Sequence, residues 1–409
     1  MKKLFMLALA LGLLLALSVC ALAANATSVT LAKADGTGTV TLNSDTPYFV
    51  GNAAVNEAGL NGRTWTAHFN STTATLTLKD AEIGPVADTN GIDANGSLTI
   101  ELVGTNAVTG GNATGDRSSY GISVTGNLTI SGDGSLTATG GEVSSSWLSC
   151  GINVDNGGLE ILNTTVNAQG GAGRSSFGIR TIKGIEIKNS IVTARGGTGT
   201  NESHGIYNSE ENIVIRGSST VEATGGEVTN IRSSGIWANG GNVDISDSST
   251  VNAAGGKATN VSYGIYAGED ENRDPKDIII SGSARVTAQS GAAGESAALC
   301  AIGSVTLGPP YDEPANRLVM AGADENSAVE WTGTNTGELN LSYKYVRIFP
   351  PEQEQEQEQV QRVVREEKVA DNTLVPAERI IEEPPLTEEN PNTGMSCPFA
   401  LLLSLLKLL

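Results

Sequence analysis

Residues 205–226 read GIYNSEENIVIRGSSTVEATGG, and residues 235–256 read GIWANGGNVDISDSSTVNAAGG. The same three landmarks fall in the same order in both. A Gly-Ile pair comes first, followed by two apolar residues separated by one (Ile213/Ile215, Val243/Ile245). A second such pair (Val221/Ala223, Val251/Ala253) then runs towards Gly-Gly. Apolar residues at alternate positions, in short runs bounded by Gly, Asn and Ser, are the pattern of strands separated by tight turns. Each unit therefore reads as three short strands, two turns and a variable loop after Gly-Gly.

The pattern extends in both directions. Gly-Ile recurs at 91–92, 121–122, 151–152, 178–179, 205–206, 235–236 and 264–265, at intervals of 30, 30, 27, 27, 30 and 29 residues, and Ala301-Ile302 continues the series. An interval this regular marks a solenoid, in which each unit buries its apolar face only by stacking on its neighbours. Three strands per unit predict an all-β fold, a right-handed parallel β-helix of about eight coils over 91–307, with coils roughly 4.8 Å apart. Residues 24–90 and 308–349 are expected to be β caps that hide the open ends of the stack. The Gly-Gly pairs are expected to give the backbone freedom to leave the coil. Composition agrees. Of 409 residues only 4% are aromatic, too few for one thick core, and 50 are Gly, well short of the one in three of collagen.

Side-chain alternation assigns faces. The Ile of each Gly-Ile points inward, and the residue before Gly is assigned inward with it, giving the column Tyr120, Cys150, Phe177, His204, Ser234, Tyr263 and Cys300. There His204 is expected to be a hydrogen-bonded core histidine rather than a metal ligand. Cys150 and Cys300 lie five coils apart, roughly 24 Å, far beyond disulfide reach, and are expected as free buried thiols. The position after Gly-Ile points outward and reads Asp93, Ser123, Asn153, Arg180, Tyr207, Trp237 and Tyr266. Tyr207, Trp237 and Tyr266 would form an exposed aromatic ladder on successive coils. Flat rings with polar edges suit stacking on sugars, so these three are the candidate ligand-binding residues.

Two further constellations carry chemistry. Outward residues of the second strand include Glu160 and Glu186 on adjacent coils, the best candidate carboxylate pair for glycoside hydrolysis. A passive solvated ladder, moderated by Lys188, is the competing reading and the one adopted, so no catalytic residue is assigned. Asp270, Asn272 and Asp274 have the alternate spacing of the first ligands of a calcium loop. Pro275 and Ser281, however, stand where an EF-hand needs Gly and Glu, and a solvated loop is the expectation. No phosphate loop, nucleophile elbow or zinc spacing occurs. The formal charge of −20 disfavours nucleic acid and anionic lipid as partners.

The ends suggest an address. Met1-Lys2-Lys3, the apolar run from Leu4 to Val19 and Ala21-Leu22-Ala23 form the pattern of a secretory signal peptide over 1–23. Residues 350–389 form an acidic spacer: positions 351–390 hold 12 acidic and 4 basic residues, a net charge of −8, a composition that stays extended and solvated. Asn390-Pro391-Asn392-Thr393-Gly394, followed by an apolar tail to Leu409, resembles the sorting signal of gram-positive sortase substrates. The resemblance implies cleavage between Thr393 and Gly394 by a sortase and covalent attachment to peptidoglycan. Asn390 replaces the usual Leu, the tail is short, and only Lys407 stands for a terminal basic cluster. At about 11 residues the tail cannot span a bilayer as a helix, so membrane contact is expected only in transit.

Trp65 with Thr75-Leu76-Thr77-Leu78, then Gly91-Ile92 with Leu98-Thr99-Ile100-Glu101-Leu102, then Gly121-Ile122 with Asn127-Leu128-Thr129-Ile130-Ser131-Gly132-Asp133-Gly134, carry a resemblance to repeat-rich surface proteins of gram-positive gut bacteria. It covers roughly residues 45–305. More distantly the chain resembles pectate lyases, polygalacturonases and β-helical carbohydrate-binding proteins. Together with the aromatic ladder and the lack of a clustered catalytic set, the reading adopted is a wall-anchored, non-catalytic protein that binds glycans or another host or microbial surface ligand, with no cofactor assigned. The alternatives are an adhesin or stalk that binds proteins through its variable loops, or a polysaccharide-degrading enzyme.

Overall fold

A computed structural model describes residues 24–144 and 147–350. The expected signal peptide over 1–23, the expected acidic spacer beyond 350 and the Asn390–Gly394 motif read as a sorting signal lie outside the described residues.

The period-two runs become strands, and equivalent strands of successive units pair in register. The result is a parallel β-solenoid of about seven turns with three sheets of ten, eleven and twelve strands. The first sheet carries the Gly-Ile strands, such as Gly199–Asn208, Arg232–Ala238 and Val261–Ala267. The second carries Leu159–Leu162, Ile185–Lys188 and their equivalents, and the third carries strands such as Val221 and Ala223 in Thr220–Thr224. Inward residues of all three sheets are fully buried: Ile152, Ile179, Ile206, Ile236 and Ile265 from the first, Ile161, Ile187, Ile215 and Ile245 from the second, Val221 and Ala223 from the third. Small β-branched side chains stacked coil upon coil fill a narrow interior that large aromatics would overfill. That is why so aromatic-poor a chain still closes a core.

Both ends of the stack reverse strand direction. Val29–Ala32 pairs antiparallel with Ile92–Ala94 and with Thr39–Leu42. At the far end Tyr345–Phe349 runs antiparallel to Arg285–Gln289 and to Leu318–Gly322.

The paired glycines serve a purpose different from the one expected. None of Gly140, Gly141, Gly170, Gly171, Gly196, Gly197, Gly225, Gly226, Gly255 or Gly256 has a positive φ. Their constraint is space: a Cβ on Gly226 would lie 2.1 Å from the Gly197 carbonyl oxygen, and one on Gly256 would lie 2.2 Å from that of Gly226. The column continues to Gly111 at one end and Gly291 at the other. Glycine is required because adjacent coils touch backbone to backbone here.

The last coil also differs. Gly264-Ile265 aligns with Ala298-Leu299, not with Ala301-Ile302: Ile265 pairs with Leu299 and Tyr266 with Cys300, and Ile302 is 51% exposed. The acidic insertion around Asp270 lengthens this unit, and Ala301-Ile302 lies three residues beyond the pair that aligns.

Candidate functional site

The strand Gly199–Asn208 shows how the outer surface of the first sheet is built. Ser203 points inward, its hydroxyl bonded to the Gly197 carbonyl. A Cβ on Gly205 would meet the backbone of Ala194 and Thr224 in the third sheet, and Ile206 is in the main core. Two consecutive positions therefore face inward, and strict alternation fails at the Gly-Ile step. The consequence is that the residue before Gly and the residue after Ile emerge on the same outer side. His204 and Tyr207 have ring centroids 5.7 Å apart, and Phe177 lies 5.2 Å from Tyr207. The column Tyr120, Cys150, Phe177, His204, Ser234 and Tyr263 is thus not part of the interior, as alternation implied. It forms a second, outer layer together with the aromatic ladder. Cys300 belongs to the ladder column, beside Tyr266.

The ladder register is as expected: Tyr207 pairs with Trp237 and Trp237 with Tyr266. Its exposure is not. Trp237 is only 4% exposed, while Tyr207 and Tyr266 are half-buried. Ser234, between His204 and Tyr263 in the neighbouring column, is too small to fill its place, and the indole occupies the notch. Trp237 lies 5.1 Å from His204, 6.1 Å from Tyr263 and 3.8 Å from Tyr266, centroid to centroid. The Arg232 guanidinium covers the indole at 4.5 Å and is itself held by Glu202, Nε at 3.0 Å and Nη2 at 2.6 Å from Oε1.

The expectation of a hydrogen-bonded His204 is overturned. The ring is fully buried, neither nitrogen has a hydrogen-bond partner, and Ser234 Oγ and Trp237 Nε1 are likewise buried without one. Burial, helped by the positive charge of Arg232, drives the His204 pKa well below the ordinary imidazole range.

A groove of about 1600 Å³ adjoins this layer, its lining including Glu160, Lys183, Glu186, Glu210, Tyr266 and Asp270. Glu160 and Glu186 are direct neighbours on paired strands. Glu186 Oε1, however, accepts from Arg216 Nη2 at 2.5 Å and Nε at 2.9 Å. The moderating cation is Arg216, not Lys188. An acid–base couple needs two carboxylates free to exchange protons with substrate, and this pair offers one, Glu160. Lys183 pairs with Glu210 at 2.5 Å in the same groove.

The insertion loop closes on itself. Asp270 Oδ1 accepts the backbone N–H groups of Asn272 and Asp274, both at 2.9 Å, and Oδ2 accepts from Lys276 Nζ at 2.7 Å. The Lys276 bond, with the backbone bonds, holds the Asp270 pKa below the usual carboxylate value. Among the described residues no three His, Cys, Asp or Glu side chains converge as a metal site.

Searches of family models, curated proteins and solved structures return no match to this chain. The β-solenoid is a scaffold compatible with enzymes and with binding proteins alike, so function rests on the site itself.

The residues that sequence reading missed are Glu202, Arg232 and Arg216, which clamp the candidates. Glu202 and Arg232 were findable, as opposite charges one unit apart at the same register position.

Proposed function

We propose that this chain is an exported, wall-displayed β-solenoid that binds polysaccharide without cleaving it, along the groove and its aromatic border. The observation that carries this reading is the position of Tyr266, which belongs both to the groove lining and to the stacked ring layer. An extended polymer in the groove thus meets polar amides and carboxylates on one side and a ring face on the other, the combination that favours sugars. The engagement of Glu186 by Arg216 supports binding over hydrolysis. The signal-peptide pattern and the Asn390–Gly394 motif support export and sortase-dependent attachment to peptidoglycan. A glycan array probed with the purified full-length chain tests the proposal: retention on polysaccharide, reduced by Tyr266→Ala, is expected. A Tyr266→Ala variant retained as well as the parent removes this site.

A second reading, a protein-binding adhesin, draws on Trp147 and Ile231 in the loops after Gly-Gly, 37% and 38% exposed. Glycan retention that survives Tyr266→Ala, together with protein capture lost on replacing these two residues, would favour it.

A further inference from the structure

Four polar atoms without partners sit together in the outer layer: both ring nitrogens of His204, Ser234 Oγ and Trp237 Nε1. His204 and Ser234 are register partners on adjacent coils, and the His204 and Trp237 rings are 5.1 Å apart. Buried polar groups in native proteins nearly always find hydrogen bonds, so a cluster of unmet ones calls for a missing partner.

The chemistry of the cluster describes that partner. Trp237 can only donate, Ser234 can donate and accept, and a neutral His204 offers one donor and one acceptor. No unpaired charge accompanies them, because the nearby cation, Arg232, is bonded to Glu202. A carboxylate or phosphate would find no free cation, and a metal ion would find a single imidazole. Adjacent hydroxyls that each donate and accept, on a ring whose C–H face can lie against aromatics, match the set. We propose that His204, Ser234 and Trp237 form the hydroxyl-reading subsite of the aromatic face, specific for a neutral saccharide, and that Arg232, tethered by Glu202, covers it in the ligand-free protein. This inference rests on the polysaccharide-binding reading above and adds to it the atoms that confer specificity and the side chain that must move.

The test uses the full-length chain with soluble β-glucan and xylan as neutral probes and polygalacturonate as the anionic one, in affinity electrophoresis. Retention by a neutral probe and not by polygalacturonate is expected. Ser234→Ala and Trp237→Phe, the latter keeping an aromatic ring while removing the N–H, should each weaken binding about tenfold, with melting temperatures close to that of the parent. Arg232→Ala, which removes the cover, should bind the neutral probe at least as tightly as the parent; weaker binding overturns the covering role. Should Ser234→Ala melt early, Trp237→Phe alone decides. Full binding by Trp237→Phe, with binding lost in Tyr266→Ala, overturns the subsite and leaves the groove reading standing. Failure of the parent to bind any of the probes overturns both.

Discussion

The Ser203 hydroxyl accepts the N–H of Gly226, one coil further along the stack, at 2.8 Å. At the same time it donates to the Gly197 carbonyl of its own coil at 2.7 Å. Ser119, Ser149, Ser176, Ser233 and Ser262 make the same pair of bonds. A line of buried hydroxyls therefore runs along the solenoid beside the glycine column, tying coils together at the corner where the third strand hands over to the next first strand.

Removing one link should be costly, because both backbone partners are left unpaired in a buried place. Ser233→Ala strands the Gly226 carbonyl and the Gly256 N–H. A loss of about 1–3 kcal/mol is expected, read as a fall of about 2–4 °C in melting temperature for each kcal/mol. A variant that melts with the parent would show that the bonds contribute nothing.

The glycine column makes a sterically sharper prediction. Gly226→Ala places a Cβ 2.1 Å from the Gly197 carbonyl oxygen, and since backbone cannot yield as a side-chain tip can, a cost of about 3 kcal/mol or more is expected. Gly184→Ala, whose Cβ would stay 3.3 Å from the nearest atom, should cost less than about 1 kcal/mol. Comparable losses in chemical denaturation of the two variants would contradict the close-contact explanation.

His204 should make stability depend on pH in a defined direction. Its folded pKa is depressed by burial and by Arg232, whereas the unfolded chain takes up the proton near pH 6.5. Below that pH the unfolded state binds more protons than the folded one, so stability falls as pH falls, by at most about 1.4 kcal/mol per pH unit. His204→Phe should flatten the drop in melting temperature between about pH 6.5 and 5, leaving a smaller slope from His68, whose pKa burial also lowers. Parallel curves for parent and variant would refute the assignment.

The two described thiols should be inert. Burial pushes Cys150 up to about 12 and Cys300 up to about 11, so at pH 8 about one molecule in a thousand or fewer carries either thiolate. Both are free. Iodoacetamide should label neither in the native protein and both in urea, with peptide mass spectrometry following each site. A Cys150–Cys300 peptide found without reductant would contradict the coil order itself.

Strand positions, stacking order and the neighbours Tyr207, Trp237 and Tyr266, or Glu160 and Glu186, were legible because period and interval determine them. What period cannot convey is the step at Gly205-Ile206, where two successive residues face inward. That single departure carried His204 from core to outer layer and let Trp237 sink beneath Arg232. The small size of Ser234, visible in the sequence, becomes meaningful only once its column is known to lie beside the ladder. Cys300 was misplaced for a different reason: with the Asp270 insertion the regular interval from Gly264 falls short, and Ala301-Ile302 looks more like the Gly-Ile landmark than the Ala298-Leu299 that takes its place. The Glu186–Arg216 pair runs diagonally between coils, and no same-position comparison brings those two together.

Since the tiers that carry Ile122, Ile152, Ile179, Ile206, Ile236 and Ile265 meet through the same serine hydroxyl, the same pair of glycines and the same inward isoleucine, one of these tiers is interchangeable with another. An in-frame duplication or deletion of about thirty codons would lengthen or shorten the rod by a single storey while leaving all remaining joints intact. The reach of the molecule is in this sense a copy number, open to change in one genetic event without redesign of any contact.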